Sequence, residues 1–504
     1  VASKPDSESC GFKTRFRNQY LIIPSRKTTQ SEFEMWNQTD WSSKYTIHSS
    51  PSLEVTSATD STISAILLGY AVDPKTPTES NQDVLDRLTK NCSSKEELFE
   101  FVQQLSGRYV LVYKNETEQI VLPDACALRP VFYGTIDSTP VVTSNLRLAL
   151  DWLDVAHSMS PEVREFCSKT ETMIGTATRD ERFSRVLANH YLDHKKLESK
   201  RIPYGLPLLG GDSPIQQAST LLRGTLEALN NRYDLTIWVS GGLDSRMLIA
   251  ASRPIRDDVR YVVFDRPEVP DYDTTIPKRL ASDLGLSVDV IETNNISTDF
   301  REALNEVFLM PRTNSTLRNV QYHFNQGTQE DSVIATGVGA EIFESFYGHP
   351  FENQSTRLLL RLSSLPNTTY SRNQIKGWLR DSQPFAKNAG IDLLDLYYWE
   401  QKMSTWGARA AQEIDLAAEF CPPFSNRALT FSMLSIPKSK RSPPQYEACR
   451  LLIEELWPEC LSEPINPAES LRDSLERKLK QKSRTSIPFF LLKEGLKEAQ
   501  DRVS

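Results

Sequence analysis

Six residues in mid-chain, Ser240-Gly241-Gly242-Leu243-Asp244-Ser245, combine small side chains with one acid in a pattern suited to phosphate. They follow the β-prone run Thr236-Ile237-Trp238-Val239. Beyond them an apolar-periodic stretch runs through Ile249 and Ala251 to a stop at Pro254, so the expected context is strand, tight turn, helix. Glycines let a backbone approach a ligand closely, and the first N–H groups of a helix have no partners within it. Such a corner attracts anions. An acid at its centre repels phosphate unless a divalent cation stands between them, so Asp244 points to phosphate together with magnesium. Neither GxxxxGK[ST] nor GxGxxG occurs, which leaves kinase-type and dinucleotide readings without a motif.

The elements that must position this corner form a regular alternation from Tyr233 onward. Strands are expected at Arg260–Phe264, Ser287–Ile291 and Ser332–Thr336, and helices at Thr274–Leu284, capped by Asp273, and at about Asp299–Phe308. This predicts a doubly wound parallel sheet with ligands at the carboxyl ends of its strands. The last of these strands runs into a second glycine corner, Gly337-Val338-Gly339-Ala340-Glu341, which ends on a carboxylate. Residues 1–155 read instead as β-rich: Tyr20–Ile23, Ile63–Leu68, Tyr109–Tyr113, Gln119–Leu122 and Pro140–Thr143 are short strands, with helices at Asn81–Lys90 and Lys95–Gln104. Residues 156–232 read as a helical connection, periodic over Phe183–His194 and closing with a helix at Pro214–Asn230; Pro203 to Asp212 is a breaker-rich turn.

The chain has 504 residues, enough for two to four domains, and a formal net charge of -8, which argues against a general nucleic-acid binder. No apolar run reaches the ~18–20 residues of a membrane span. Seven scattered cysteines without a CxxC pair suggest reduced thiols and a cytoplasmic protein. His190 and His194, a helical turn apart, are expected on a solvated helix face, since no third metal ligand lies near.

The first corner resembles the Ser-Gly-Gly-x-Asp-Ser loop of the ATP pyrophosphatase (PP-loop) enzymes, which cut ATP between its α- and β-phosphates. Thr336–Phe343 resembles the Ser-Gly-Glu-Gly-Ala-Asp-Glu-Leu-Phe motif of asparagine synthetases within that group. Glu400–Gly407 and Pro422–Leu429 resemble their Met-Ser-x-Trp-Gly and Pro-Phe-Leu-Asp segments. Leu105–Val112 with Asp124–Tyr133 resembles the second half of their glutamine-amidotransferase (Ntn-type) domain. The resemblance covers about residues 100–460 in ordered blocks. It implies an Ntn-hydrolase-like sandwich over 1–155 and, over 233–470, a doubly wound synthetase domain with a helical C-terminal part; residues 471–504 read from their own charge as a basic helical tail. It implies ATP and Mg²⁺ as cofactors, with Asp244 and Glu341 on the metal. Nucleotide contacts are then expected at Val239, Ser240, Gly241, Gly242, Leu243, Asp244, Ser245, Val263, Phe264, Thr336, Gly337 and Gly339.

Several departures bear on the chemistry. The family's nucleophile is a first-residue cysteine; here that residue is Val1 and Cys10 is internal, so glutamine hydrolysis is not expected. The family's Glu between the two glycines is Val338, and its lysine falls on Tyr446; Lys438, Lys440 or Arg441 could reach in instead, with Lys440 and Arg441 taken as the catalytic candidates. Arg246 could make a surface salt bridge or clamp a phosphate or carboxylate. The basic run from Arg477 to Arg484 reads as a solvated face or a dock for an acidic peptide or carrier. The expectation is an AMP-forming ligase that adenylates a small-molecule or peptide carboxylate and forms an amide with an amine not taken from glutamine, as in specialised biosynthesis. A non-catalytic ATP-binding partner protein is the alternative. A sulfur-transferring enzyme would want a cysteine beside the corners, and none lies there.

Overall fold

A computed structural model describes residues 15–25, 33–203, 213–266, 272–313, 316–327, 331–348 and 354–465. Val1, Cys10, the turn at 204–212 and the tail at 471–504 lie outside the described residues.

The N-terminal strands are β1 (Tyr20–Pro24), β2 (Asn37–Ser42), β3 (Tyr45–Ser49), β4 (Val55–Asp60), β5 (Ile63–Val72), β6 (Ser106–Lys114), β7 (Gln119–Pro123), β8 (Phe132–Ile136), β9 (Thr139–Thr143), β10 (Phe183–Arg185), β11 (His190–Asp193) and β12 (Glu198–Arg201). They make two six-stranded sheets, in the orders β10-β8-β9-β1-β3-β2 and β12-β11-β7-β6-β5-β4, with antiparallel pairing throughout. Period-two alternation divides their side chains between two cores. Tyr20 and Ile22 of one sheet meet Ile66, Leu68, Val110, Val112 and Val121 of the other. Their neighbours Leu21, Ile23, Leu67, Tyr109 and Leu111 face outward into the main core. Strands buried on both faces read as continuous apolar runs, which is why the expected five are all present.

Two expectations for 156–232 are corrected. Phe183–His194 is not a helix: its two ends are β10 and β11, hydrogen-bonded to β8 and β7, and Asn189 between them adopts φ +61°, which no helix tolerates. The stretch read as a helical connection thus supplies three strands to the two sheets, and only Pro214–Asn230 is the long helix expected there. Cross-strand pairing outweighed a local helical period. His190 accordingly starts β11, which is paired with both β12 and β7, and His194 follows its end. His194 is buried between the rings of Trp41 and Tyr45, at 4.5 Å from each.

The second half is built on β13 (Asp234–Trp238), β14 (Arg260–Asp265), β15 (Val288–Glu292), β16 (Ser332–Ala335) and β17 (Glu419–Cys421). They form one parallel sheet in the order β15-β14-β13-β16-β17. The expected helices wind between them, at Leu243–Ala251, Tyr272–Leu284 and Thr298–Val307. β17 and the helix Leu317–Gln326 were not foreseen. The Met-Ser-Thr-Trp-Gly segment lies in a π-helix, Tyr398–Gly407, a wider winding that often marks functional positions.

The two halves are tied by buried charge. Arg108 on β6 donates to both oxygens of Asp415, at 2.5 and 2.7 Å, and Arg129 reaches Glu419 of β17 at 3.0 Å. Among the described residues no helix is long and apolar enough to cross a membrane. The six described cysteines are buried and free of disulfides.

Candidate functional site

β13 ends at Trp238 and the chain turns through Val239–Gly242 into the helix Leu243–Ala251. Gly242 is the capping residue and offers no side chain, so the first turn's N–H groups are open to a ligand. Ser245 pins the turn: its Oγ accepts from Ser240 N–H at 3.1 Å and donates to the Ser240 carbonyl at 2.9 Å. Asp273, expected as a helix cap, lies instead in the first helical turn and accepts from Gly241 N–H at 3.3 Å.

The second corner lies beside the first because β13 and β16 are parallel neighbours, Ile237 opposite Ala335. Contact between them is close. A Cβ on Gly337 would stand 2.5 Å from Cβ of Asp244, so glycine is needed there for approach rather than for an unusual φ. Gly339, by contrast, takes φ +102°. It turns Ala340-Glu341-Ile342 into a single 3₁₀ turn, and its N–H donates to Glu341 Oε2 at 3.0 Å.

Both corners open on one cavity of about 240 Å³, lined by Trp238, Val239, Ser240, Asp244, Ser245, Phe264, Arg266, Asp273, Asn319, Thr336, Gly337, Val338 and Glu341. Of the residues expected from sequence, Gly241, Gly242, Leu243, Val263 and Gly339 form its backbone frame rather than its wall. Trp238, Arg266, Asp273 and Asn319 were missed. Trp238, the last residue of β13, is half-buried between the main core and the cavity, and its ring stacks on His323 at 5.6 Å with an interplanar angle of 16°. Its indole N–H donates to His323 Nε2 at 3.2 Å. Burial holds His323 down at about 4, so the ring is neutral and able to accept. Only the strand-end position of Trp238 could have signalled this.

Carboxylates dominate the electrostatics. Asp244 is pushed well above the usual carboxylate range, first by burial and then by the charges of Glu344 and Glu341. Among the described residues its Oδ1 is buried without a hydrogen-bond partner, as is Oδ1 of the cavity-lining Asn319. Burial also raises Glu341, opposed by the Gly339 N–H and by the charge of Lys402. Lys402, on the π-helix, was quoted in a motif but given no role; its charge acts on Glu341, whereas neither proposed cation does so.

Lys440 and Arg441 stand elsewhere. Lys440 is half exposed and pairs with Glu447 at 2.9 Å, while Arg441 is buried against Asp395 at 2.7 Å. Lys438 pairs with Asp392 at 2.8 Å. A short helix, Lys438–Arg441, turns all three toward neighbouring acids, and none lines the cavity. Arg246 is fully buried, neither a surface salt bridge nor a clamp. It donates to the carbonyls of Cys460, Glu463 and Pro464, locking the helix to the chain's later turn. Tyr446, at φ +48°, precedes the helix Glu447–Leu456 and is not a cavity residue.

Two carboxylates and orphaned amide and carboxyl oxygens are hard donors, as magnesium requires. Among the described residues no group of three or more His, Cys, Asp or Glu is arranged to hold a metal. Two protein carboxylates would leave the remaining positions to phosphate oxygens and water, which is how magnesium is commonly held.

No family model matches the chain, and no curated protein matches it. Loosely similar solved structures include the following two. One is the allosteric regulatory enzyme of purine biosynthesis, at 14% identity and TM-score 0.25, with 70% of this chain and 74% of that chain covered. The other is glutamine phosphoribosylpyrophosphate amidotransferase from B. subtilis complexed with ADP and GMP, at 12% identity and TM-score 0.24, covering 71% and 75%. Superposition this loose bears on no functional question, and the fold assignment rests on the sheet topology above.

Proposed function

We propose that the cavity binds a magnesium nucleotide and that the chain is an ATP-dependent, AMP-forming ligase. One observation carries this: Asp244 and Glu341 line the same cavity as an uncapped helix start, and Gly337 is shaped around Asp244 so that both corners act as one unit. Magnesium, when bound by Asp244 and Glu341, would supply charge neutralisation for the pyrophosphate oxygens. The open N–H groups at the start of the Leu243 helix receive phosphate oxygens, the turn before it being held by its own bonds to Ser245 and Asp273. The flat Trp238–His323 pair and Phe264 offer a surface for a purine ring. Lys402 stands where a cation can balance charge on the Glu341 side. The carboxylate substrate attacks the α-phosphate, pyrophosphate leaves, and an amine from the substrate or free ammonia then attacks the adenylate to give an amide and AMP.

The positions of Lys440 and Arg441, both engaged away from the cavity, favour a second reading: a nucleotide-binding partner protein that does not transfer an acyl group. Pyrophosphate exchange into ATP separates the two. The ligase reading expects magnesium-dependent exchange stimulated by candidate carboxylates and lost in Asp244→Asn. Nucleotide binding with no exchange supports the second reading, and no nucleotide binding at all refutes both.

A further inference from the structure

A second cavity, of about 80 Å³, lies where the sandwich meets the parallel-sheet half, and it is lined by apolar side chains and an excess of arginine. Its apolar side is Phe308, Met310 and Trp406; its polar side includes Arg179, Arg185, Arg312 and Arg409. Counter-charge is short. Glu413, fully buried, takes two bonds from Arg312 Nε at 2.8 and 3.0 Å and lies 3.5 Å from Arg409 Nε. Glu171 is exposed and its carboxylate accepts from Thr313 Oγ1 at 2.7 Å. Arg185 donates to the backbone carbonyls of Ala177 and Ser404 and lies over the Phe132 ring at 5.3 Å, and Arg179 has the Glu171 carbonyl and the sulfur of Met310; neither has a carboxylate partner among the described residues.

Among the described residues, Nη1 of Arg312 and Nη2 of Arg409 are buried with no hydrogen-bond partner, and Arg409 Nε has only the 3.5 Å ion pair to Glu413; Arg312 as a whole is 7% exposed. Burying guanidinium groups beside one another is costly unless an anion joins them. The mutual strain is visible in their acidity: burial, then the charges of Arg179 and Arg409, push Arg185 down to about 9, and burial pushes Arg409 down to about 10. A cavity of this volume holds several water-sized groups, enough for a carboxylate and part of its body.

We propose that this cavity is a binding site for an organic carboxylate, its oxygens received by Arg312 Nη1 and Arg409 Nη2 and its apolar body lying against Phe308, Met310 and Trp406. The site is independent of the nucleotide cavity and stands or falls without it. Planar guanidiniums suit a planar carboxylate, and the apolar wall selects against a fully hydrated inorganic anion.

The test uses the full chain titrated calorimetrically with 3-phenylpropionate, with its neutral amide and with inorganic phosphate, alongside Arg409→Gln and Met310→Trp. Expected are saturable binding of the carboxylate, at least tenfold weaker binding of the amide and of phosphate, and at least tenfold loss in either variant with an unchanged circular dichroism spectrum. Should Arg409→Gln fail to fold, Met310→Trp, at a half-exposed position, and the amide comparison still decide. The proposal is overturned by absent carboxylate saturation, by equal affinity for the amide, by phosphate binding more tightly than the carboxylate, or by undiminished affinity in both variants.

Discussion

Replacing Gly337 by Ala probes the one contact that makes the two glycine corners a single site. The added Cβ would lie 2.5 Å from Cβ of Asp244, where ordinary contact is 3.4–4 Å, so one side must yield by about 1 Å. Its φ is not in the left-handed region, so backbone strain contributes nothing and the cost is steric. Overpacking of this kind costs ~1–3 kcal/mol. Because β13 and β16 are hydrogen-bonded neighbours, the sheet resists and the displacement falls mainly on Asp244. An ångström of misplacement at a binding carboxylate is expected to weaken Mg·ATP at least tenfold, or ~1.4 kcal/mol. Urea unfolding gives the stability and calorimetry the affinity. A double-mutant cycle with Asp244→Gly, which removes the opposing Cβ, isolates the clash: stability losses should be less than additive, with a coupling above ~0.5 kcal/mol. Additive losses together with wild-type nucleotide affinity in Gly337→Ala would show that the corners are not joined as described.

Three further outcomes follow from buried charge. The raised Asp244 and Glu341 mean that the folded chain holds protons the unfolded chain has released, so their contribution is full below the ordinary carboxylate range and is lost as pH rises through the folded values. Without divalent cation, Asp244→Asn should therefore unfold at higher urea than wild type at neutral pH, with a flatter pH profile; parallel profiles would refute the buried cluster. Asp415→Asn leaves the buried Arg108 only Glu419, at 3.3 Å, as a carboxylate partner and should cost ~1.5–3 kcal/mol in urea melts, the worth of a hydrogen bond to a charged group, whereas a loss under ~0.5 kcal/mol would mean that the pair does not bind the two halves together. His194, held down to about 4 by burial, should cost the fold about 3 kcal/mol as pH falls from its unfolded value near 6.5 toward 4, since only the unfolded chain takes up the proton there. His194→Phe keeps the ring against Trp41 and Tyr45 and should remove that part of the acid sensitivity, measured as the urea midpoint against pH.

What could be read from the chain and what could not divide along a physical line. The parallel sheet and the glycine corners were legible because each depends on residues adjacent in sequence: an apolar run buried on both faces, a small-residue turn, a helix start. Strands β10 to β12 were not, because Phe183, Val186, Leu187 and Tyr191 fall at helical spacing and only pairing with distant β7 and β8 selects the extended form. The same limit governs side-chain roles. Asp244 and Glu341 could be placed because their strand ends are fixed by the alternation itself, while Lys440, Arg441 and Arg246 could not, since a cation's partner is chosen by tertiary packing. Each found an acid or a carbonyl within reach and was turned from the cavity. Lys402 and the arginines of the second cavity escaped notice for the converse reason: the neighbours that matter come from distant segments, 61 residues apart for Lys402 and Glu341 and 101 for Arg312 and Glu413. A charge whose meaning lies in what faces it across a domain junction leaves no local period, cap or turn to read.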